Sequence, residues 1–201
     1  MPRTKKQNEE IKEQTAARIK EAGLKLFSYR GLAATSSADI AKQAGVSAGL
    51  MYHYYKSKED LYSELIGIAI QESTAGMQHF ADMDTTAAEK IKLFTGHILA
   101  DSANDEKTSQ YFLLMVQAML DTNLPKQAKT HMKDIYKSSD ILKGVITSGQ
   151  TAGDIKQGNP HKLTVLFLSA IHGLCVYRLT LGEQFSTPDI DMVTVLLTTT
   201  K

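Results

Sequence analysis

The chain is predicted to be all-α, and three observations predict it. Apolar residues recur at spacings of three and four, residues that cap helices recur at helix-length intervals, and beyond Leu61 no run reads convincingly as a strand. With 42% hydrophobic residues, the 201 positions can bury a core and are long enough for one or two domains. Residues 1–65 hold eleven basic against eight acidic side chains, a net of +3, whereas residues 66–201 are net −2, which favours two units with a boundary near residue 65.

The elements follow in order. Pro2, Arg3, Thr4, Lys5, Lys6 and Gln7 carry no apolar period and read as a short basic tail, either solvated charge or an arm for a polyanion backbone. Ile11, Thr15, Ile19, Ala22 and Leu26, with Phe27 beside them, form the inward stripe of one helix ending near Gly31. Ser36 stands three residues before Asp39, so hydroxyl and carboxylate can close a reciprocal cap at the start of a second helix. Ile40, Ala41 and Ala44 supply its small apolar face, and Gly45 follows where a chain leaving a helix often needs positive φ. Val46 anchors the turn and Ser47 caps a third helix whose first turn, Ala48 and Gly49, lets another backbone approach closely.

Two short helices joined by a glycine turn are how proteins place a helix in the DNA major groove. On the helix entered at Ser47, the periodicity sends Leu50, Met51 and Tyr54 inward and leaves Ser47, Gly49, Tyr52 and His53 outward, where hydroxyls and an imidazole can bond phosphates or base edges. The same run of aromatic residues is also compatible with ordinary core. Ser57 and Asp60 repeat the capping pattern and put Lys58 in the first turn of a fourth helix, where the dipole disfavours a cation. An external anion would explain it, with exposed backbone N–H groups and Lys58 forming a phosphate clamp. The candidate DNA-contacting set is Ser36, Ser37, Ser47, Ala48, Gly49, Tyr52, His53 and Lys58.

The run Ile40-Ala41-x-x-Ala44-Gly45-Val46-Ser47-x-Gly49-x-x-Tyr52-x-Tyr54-Tyr55-x-Ser57-Lys58-Glu59-x-Leu61 resembles the signature of the TetR (tetracycline-repressor-like) family of bacterial transcription regulators. Tyr55 stands where that family usually has Phe, and His53 occupies a variable position that often touches DNA. The resemblance implies an N-terminal three-helix domain with a helix-turn-helix and a C-terminal helical domain that binds a ligand and dimerises. It also implies a homodimeric repressor that binds double-stranded operator DNA and is released from it by a small molecule. The same fold without DNA function, serving as a ligand-binding or partner-binding module, is the alternative.

Further along, caps are expected at Thr86 with Glu89, Ser102 with Asp105, Pro125, Asn159 before Pro160, and Thr187 before Pro188. One helix from about Ser57 to Phe80 is expected to join the two halves, and residues 149–160 form the clearest loop. Residues 160–182 are apolar on most of their circumference, more than one core-facing stripe requires. Either they sit at the centre of a monomer, or the excess face meets a second chain, residues 188–199 adding a second apolar helix; the resemblance implies a twofold four-helix bundle through residues 160–200. Met77, Phe80, Phe94, Tyr111, Phe112, Met115, Met119, Met132, Ile135, Tyr136, Phe167 and Ile171 spread adaptable apolar groups over several helices, and they read as core or as the wall of an effector pocket.

Other classes are disfavoured. Cys175 is the single cysteine and lies on an apolar helix, so it reads as a packing thiol. The six histidines show no His-x-x-x-His pairing, and neither metal nor cofactor is expected. Gly45-Val46-Ser47-Ala48-Gly49 matches Gly-x-Ser-x-Gly letter for letter, but a nucleophile elbow needs a preceding strand where a capped helix stands, so catalysis is not expected. The N-terminus is too short and polar for a signal peptide and no run of about 18 apolar residues is seen. The expected setting is cytoplasmic, away from membranes.

Overall fold

The computed structural model describes residues 5–199. Among the described residues ten α-helices follow in order: α1 Lys5–Arg30, α2 Ser37–Gln43, α3 Ala48–Tyr54, α4 Lys58–Ala81, α5 Ala87–Asn104, α6 Glu106–Leu120, α7 Lys126–Met132, α8 Lys137–Ala152, α9 Pro160–Leu181 and α10 Ile190–Thr194. A single antiparallel bridge, Ile155 to Thr198, is the extended pairing among the described residues.

Local chemistry accounts for most boundaries. Ser36 and Asp39 form both halves of the expected capping box, and Gly45 takes φ 64°, where a side chain would be strained. Ser47, Ser57, Thr86 and Asn159 each accept the backbone N–H three residues on. Other boundaries differ from expectation. Ser102 is buried inside α5, and Asp105 alone caps α6 by accepting from the Lys107 N–H. Thr187 and Pro188 precede α10, whose cap position is Asp189. Helix α8 continues through Ala152, so the loop begins at Gly153. Lys5, Lys6 and Gln7 belong to the first turns of α1, while Pro2, Arg3 and Thr4 lie outside the described residues.

Two apolar cores stack along α4. The first joins Ile19, Phe27, Ile40, Met51, Leu61, Tyr62 and Leu65 to Ile66, Ile70, Leu114 and Ala128. Side chains from α6 and α7 thus complete the core beneath α1 to α3, which continues across residue 65 within one uninterrupted helix. Ile11 of the predicted stripe projects beyond this core and is exposed. The second core gathers Met77, Ile91, Phe94, Ile146, Phe167 and Ile171 from α4, α5, α8 and α9.

Helix α9 buries Thr164, Phe167, Ile171 and Cys175 on one stripe against α6 and α8. By length and composition Pro160–Gln184 is apolar enough to cross a bilayer, contrary to the reading of no such run, because average hydropathy tolerates Lys162 and Arg178. The final segment does not form the long helix expected beside α9. Helix α10 has five residues, packs mainly on α5, and is pinned by Lys92 to Asp191 at 2.8 Å and by Lys156, whose N–H donates to the Leu197 carbonyl at 2.8 Å.

Gly149 marks the tightest helix approach in this half. A Cβ there would stand 2.6 Å from the Ala87 Cβ, which has no rotamer with which to yield. Gly149→Ala is therefore expected to destabilise the fold by about 1–3 kcal/mol through overpacking, measured as a lower urea midpoint at unchanged slope.

Candidate nucleic-acid interface and effector cleft

Helices α2 and α3 are each seven residues long and owe their placement to their caps and their buried faces. Ile40 and Ala41 of α2 and Met51 of α3 are buried, and the Val46 N–H reaches back to the Ala41 carbonyl at 3.0 Å to close the turn between them. Ser36 is absorbed by its own cap. Its hydroxyl donates to Asp39 Oδ2 at 2.6 Å and accepts the Asp39 N–H at 3.1 Å, and this bonding holds the Asp39 carboxyl below its ordinary range. Ser37 is half-buried in the first turn of α2. Ser47 accepts the Leu50 N–H at 3.1 Å, so the hydroxyl of the Gly-x-Ser-x-Gly look-alike is engaged as a helix cap.

The solvent face of α3 carries Ala48, Gly49, Tyr52 and His53, as the periodicity placed them. Tyr52 is 54% exposed, and a Cβ at Gly49 would meet nothing within 4 Å, so folding leaves both positions unconstrained. The His53 ring lies edge-on to Tyr54, 5.7 Å between centroids. Leu50, expected inside, is 39% exposed, because so short a helix turns only a narrow face to the core and Met51 and Tyr55 fill it. Lys42, Gln43 and Lys56 share the exposed surface. Isolated polar residues such as these carry no periodic signal in the sequence.

Lys58 requires a correction. Its ammonium donates to the Leu32 carbonyl at 2.8 Å and the Thr35 carbonyl at 2.7 Å, in the turn between α1 and α2. The cation in the first turn of α4 is explained by the protein's own carbonyl dipoles, and no external anion is needed. Tyr55 also has a fold-internal explanation. Burial, with the nearby Glu64 carboxylate, pushes its hydroxyl far above the usual tyrosine range, while Lys20 of α1 reaches the same carboxylate at 3.2 Å.

In the second half, α4, α5 and α6 enclose a cleft of about 650 Å³. It is walled by Phe80, Phe94, Tyr111, Phe112 and Met115 among the expected residues, together with Ile68, Ile98, His97, Glu72, Asp101, Asp105 and Lys107. The other expected residues lie elsewhere. Met77, Phe167 and Ile171 are sealed in the second core, Met132 and Ile135 pack against the first, and Met119 and Tyr136 are exposed. Helical spacing assigns a residue to a side of its own helix but leaves open which neighbour that side meets. Phe80 stands edge-on to Phe94 at 5.7 Å, and His172, held neutral-leaning by burial, backs Phe112 at 5.0 Å. A second depression of about 670 Å³ lies between α4 and α7, bordered by Gln71, Thr74, Gln78, His131 and Asp134 among others, and none of the expected apolar residues lines it. Among the described residues no cluster of three or more His, Cys, Asp or Glu is placed to hold a metal ion.

Residues 19–65, which span this helix-turn-helix and its supports, match the family model "Bacterial regulatory proteins, tetR family". Over this segment the chain is similar to TetR-family regulators. The transcriptional repressor KstR2 of Mycolicibacterium smegmatis is 30% identical over 134 residues, which cover 65% of this chain and 64% of that protein. The MbdR regulator from Azoarcus sp. CIB has the same fold, with a TM-score of 0.78 at 21% identity over 90% of this chain and 96% of that one. FadR from Bacillus subtilis, solved in complex with stearoyl-CoA, is similar at a TM-score of 0.63 and 21% identity, covering 90% of this chain and 94% of that one. The chain spans just under two thirds of the length of the mycobacterial relative.

In this TetR-like helix-turn-helix the geometry separates residues that hold the α3 helix from residues left free on it. Lys58→Met is expected to lower stability by about 1–2 kcal/mol, since two turn carbonyls lose a charged donor, and Tm should fall with operator affinity. Tyr52→Ala is expected to leave Tm nearly unchanged and to weaken all DNA sequences alike, whereas His53→Ala should change the ranking among sequences by about 1–3 kcal/mol at one base step. Melting curves and binding to a randomised operator library check both.

Proposed function

We propose that the protein is a homodimeric transcriptional repressor that reads a palindromic operator with residues 36–58 and leaves it when a small apolar or amphipathic molecule fills the α4–α5–α6 cleft. The observation that carries this reading is the exposed α3 face, where Gly49 and Tyr52 answer to no folding demand and His53 stands in solvent beside them, while Ser36 and Ser47 are taken up as caps and Ile40, Ala41 and Met51 are buried. A protein kept only as a ligand-binding module would have no use for that face. Residues 1–65 serve DNA and residues 66–201 serve ligand and assembly, in the cytoplasm where operator DNA is accessible. FadR's complex with stearoyl-CoA supports an amphipathic effector for this fold.

Helix α4 couples the two halves. Ile68, Glu72, Gly76 and Phe80 form one wall of the cleft, and the same helix begins with the Lys58 grip on the α1–α2 turn. Helix α6 gives a second route. Tyr111, Phe112 and Met115 line the cleft, while Gln117 Nε2 donates to the Ser28 carbonyl at 2.7 Å and Glu106 accepts from the Tyr29 hydroxyl at 3.3 Å, both at the end of α1. A guest that moves α4 or α6 changes the separation of the two reading heads.

Assembly is assigned to α9. Opposite its buried stripe, Leu166, Ala170, Gly173, Tyr177 and Leu181 follow one another at helical spacing on the outer side, with Leu166 48% exposed and open space over Gly173. A long apolar stripe with small residues at its centre suits close packing against a twofold copy of itself. Within residues 160–200 the interface is assigned to α9, since the residues after 188 form only a five-residue helix that packs mainly on α5.

Binding to the promoter region beside the protein's own gene, titrated with salt, tests the function. Saturable sequence-selective binding with a linear fall of log affinity against log salt is expected; sequence-blind binding alone would overturn the repressor reading. Leu166→Glu is expected to give monomers by analytical ultracentrifugation and to weaken operator binding at least tenfold, since one head loses the benefit of the other.

A further inference from the structure

The cleft is apolar at its floor and one-sided in charge at its mouth. Phe80, Phe94, Phe112 and Met115 supply three aromatic rings and a thioether to its lining. Around them stand three carboxylates from separate places in the chain, Glu72 at mid-α4, Asp101 in the last turn of α5, and Asp105 at the α5–α6 junction, against one lysine, Lys107. Among the described residues no Lys or Arg forms an ion pair with any of the three; Asp101 is 3.4 Å from His97, and Asp105 accepts the Lys107 backbone N–H.

The backbone dipoles point the same way. Helix α5 ends at this mouth with its carbonyl-bearing, partly negative terminus and carries no basic residue in its last turn. The neighbouring start of α6, which in an anion site would offer free N–H groups, is taken by its own Asp105 cap and followed by Glu106. A carboxylate or phosphate entering here meets three negative side chains and one positive. An organic cation meets carboxylates at the rim and aromatic rings in the lining, and both can attract it.

We propose that the effector is a lipophilic cation, an amine or quaternary ammonium on an apolar body, with its charge at the Glu72–Asp101–Asp105 rim and its body against Phe80, Phe94 and Phe112. This rests on reading the cleft as the effector site and adds the sign of the effector's charge. It sets this cleft apart from one that takes an acyl chain with an anionic head.

Three probes with the same tail test it: dodecyltrimethylammonium, dodecanol and dodecanoate, each titrated below its micellar range into the full-length protein by calorimetry, with release of bound operator DNA as a second readout. The ammonium is expected to bind at least about tenfold more tightly than the carboxylate and to lose that advantage at high salt. The double variant Glu72→Gln, Asp101→Asn, both at solvent-accessible positions, is expected to weaken the ammonium about tenfold, to leave dodecanol unchanged and to improve dodecanoate. Equal or tighter binding of dodecanoate, or an ammonium affinity indifferent to the double variant, overturns the charge assignment while leaving the cleft as effector site. Absence of binding by all three probes, with operator binding intact, overturns the cleft itself and this proposal with it.

Discussion

The Lys58 ammonium, bonded to the Leu32 and Thr35 carbonyls, is the constraint on which the arrangement of the DNA-facing half depends. The turn between α1 and α2 has no strand or helix to satisfy its carbonyls, and the first turn of α4 is an unfavourable place for a cation. Each problem offsets the other. The consequence is mechanical as well as energetic, because the helix-turn-helix is held at the end of a 24-residue helix whose far end walls a cleft. Ser57 caps that helix, Tyr62 packs edge-on against Phe27 at 5.2 Å with its hydroxyl pushed by burial to about 12, and Glu64 ties Lys20 to α4. Little slack remains between α4 and the reading head.

The two cores share α4 and α6, so packing does not separate the halves. Leu114, Met115 and Ala118 of α6 belong to the core beneath α1 and α2, while Tyr111 and Phe112 on the same helix face the cleft. A close-packed interior transmits displacement instead of absorbing it. The polar bonds from α6 to the end of α1, through Gln117 and Glu106, put a directional contact where apolar packing alone would let surfaces slide.

Much of the DNA-facing half was legible because its signals are local. A Ser-x-x-Asp pair, a glycine after an apolar turn and a serine two residues later specify backbone conformations within a few positions, and α2, the turn and α3 sit where those residues put them. Contacts across space are not local in this way. Leu50 faces solvent because the core beneath α3 is already filled by Met51 and Tyr55, and Lys58 finds carbonyls more than twenty residues away. In the second half, Ser102 had the form of a cap but lies within α5, its hydroxyl 3.6 Å from the Cys175 sulfur. Of the apolar residues offered as a pocket, five wall the cleft and the rest are core or surface.

By itself the sequence determined the all-α class, the helix-turn-helix with its caps and glycine turn, and one continuous helix joining the halves, since each follows from hydrogen bonds and φ angles set within one or two helical turns. Only the tertiary structure decided that Lys58 is a brace, that α10 serves α5 and leaves α9 with an uncovered stripe, and that Glu72, Asp101 and Asp105 meet around one aromatic floor. Those facts depend on how helices cross. Crossings are settled by the packing of all their side chains at once, which the periodicity of any single helix does not contain.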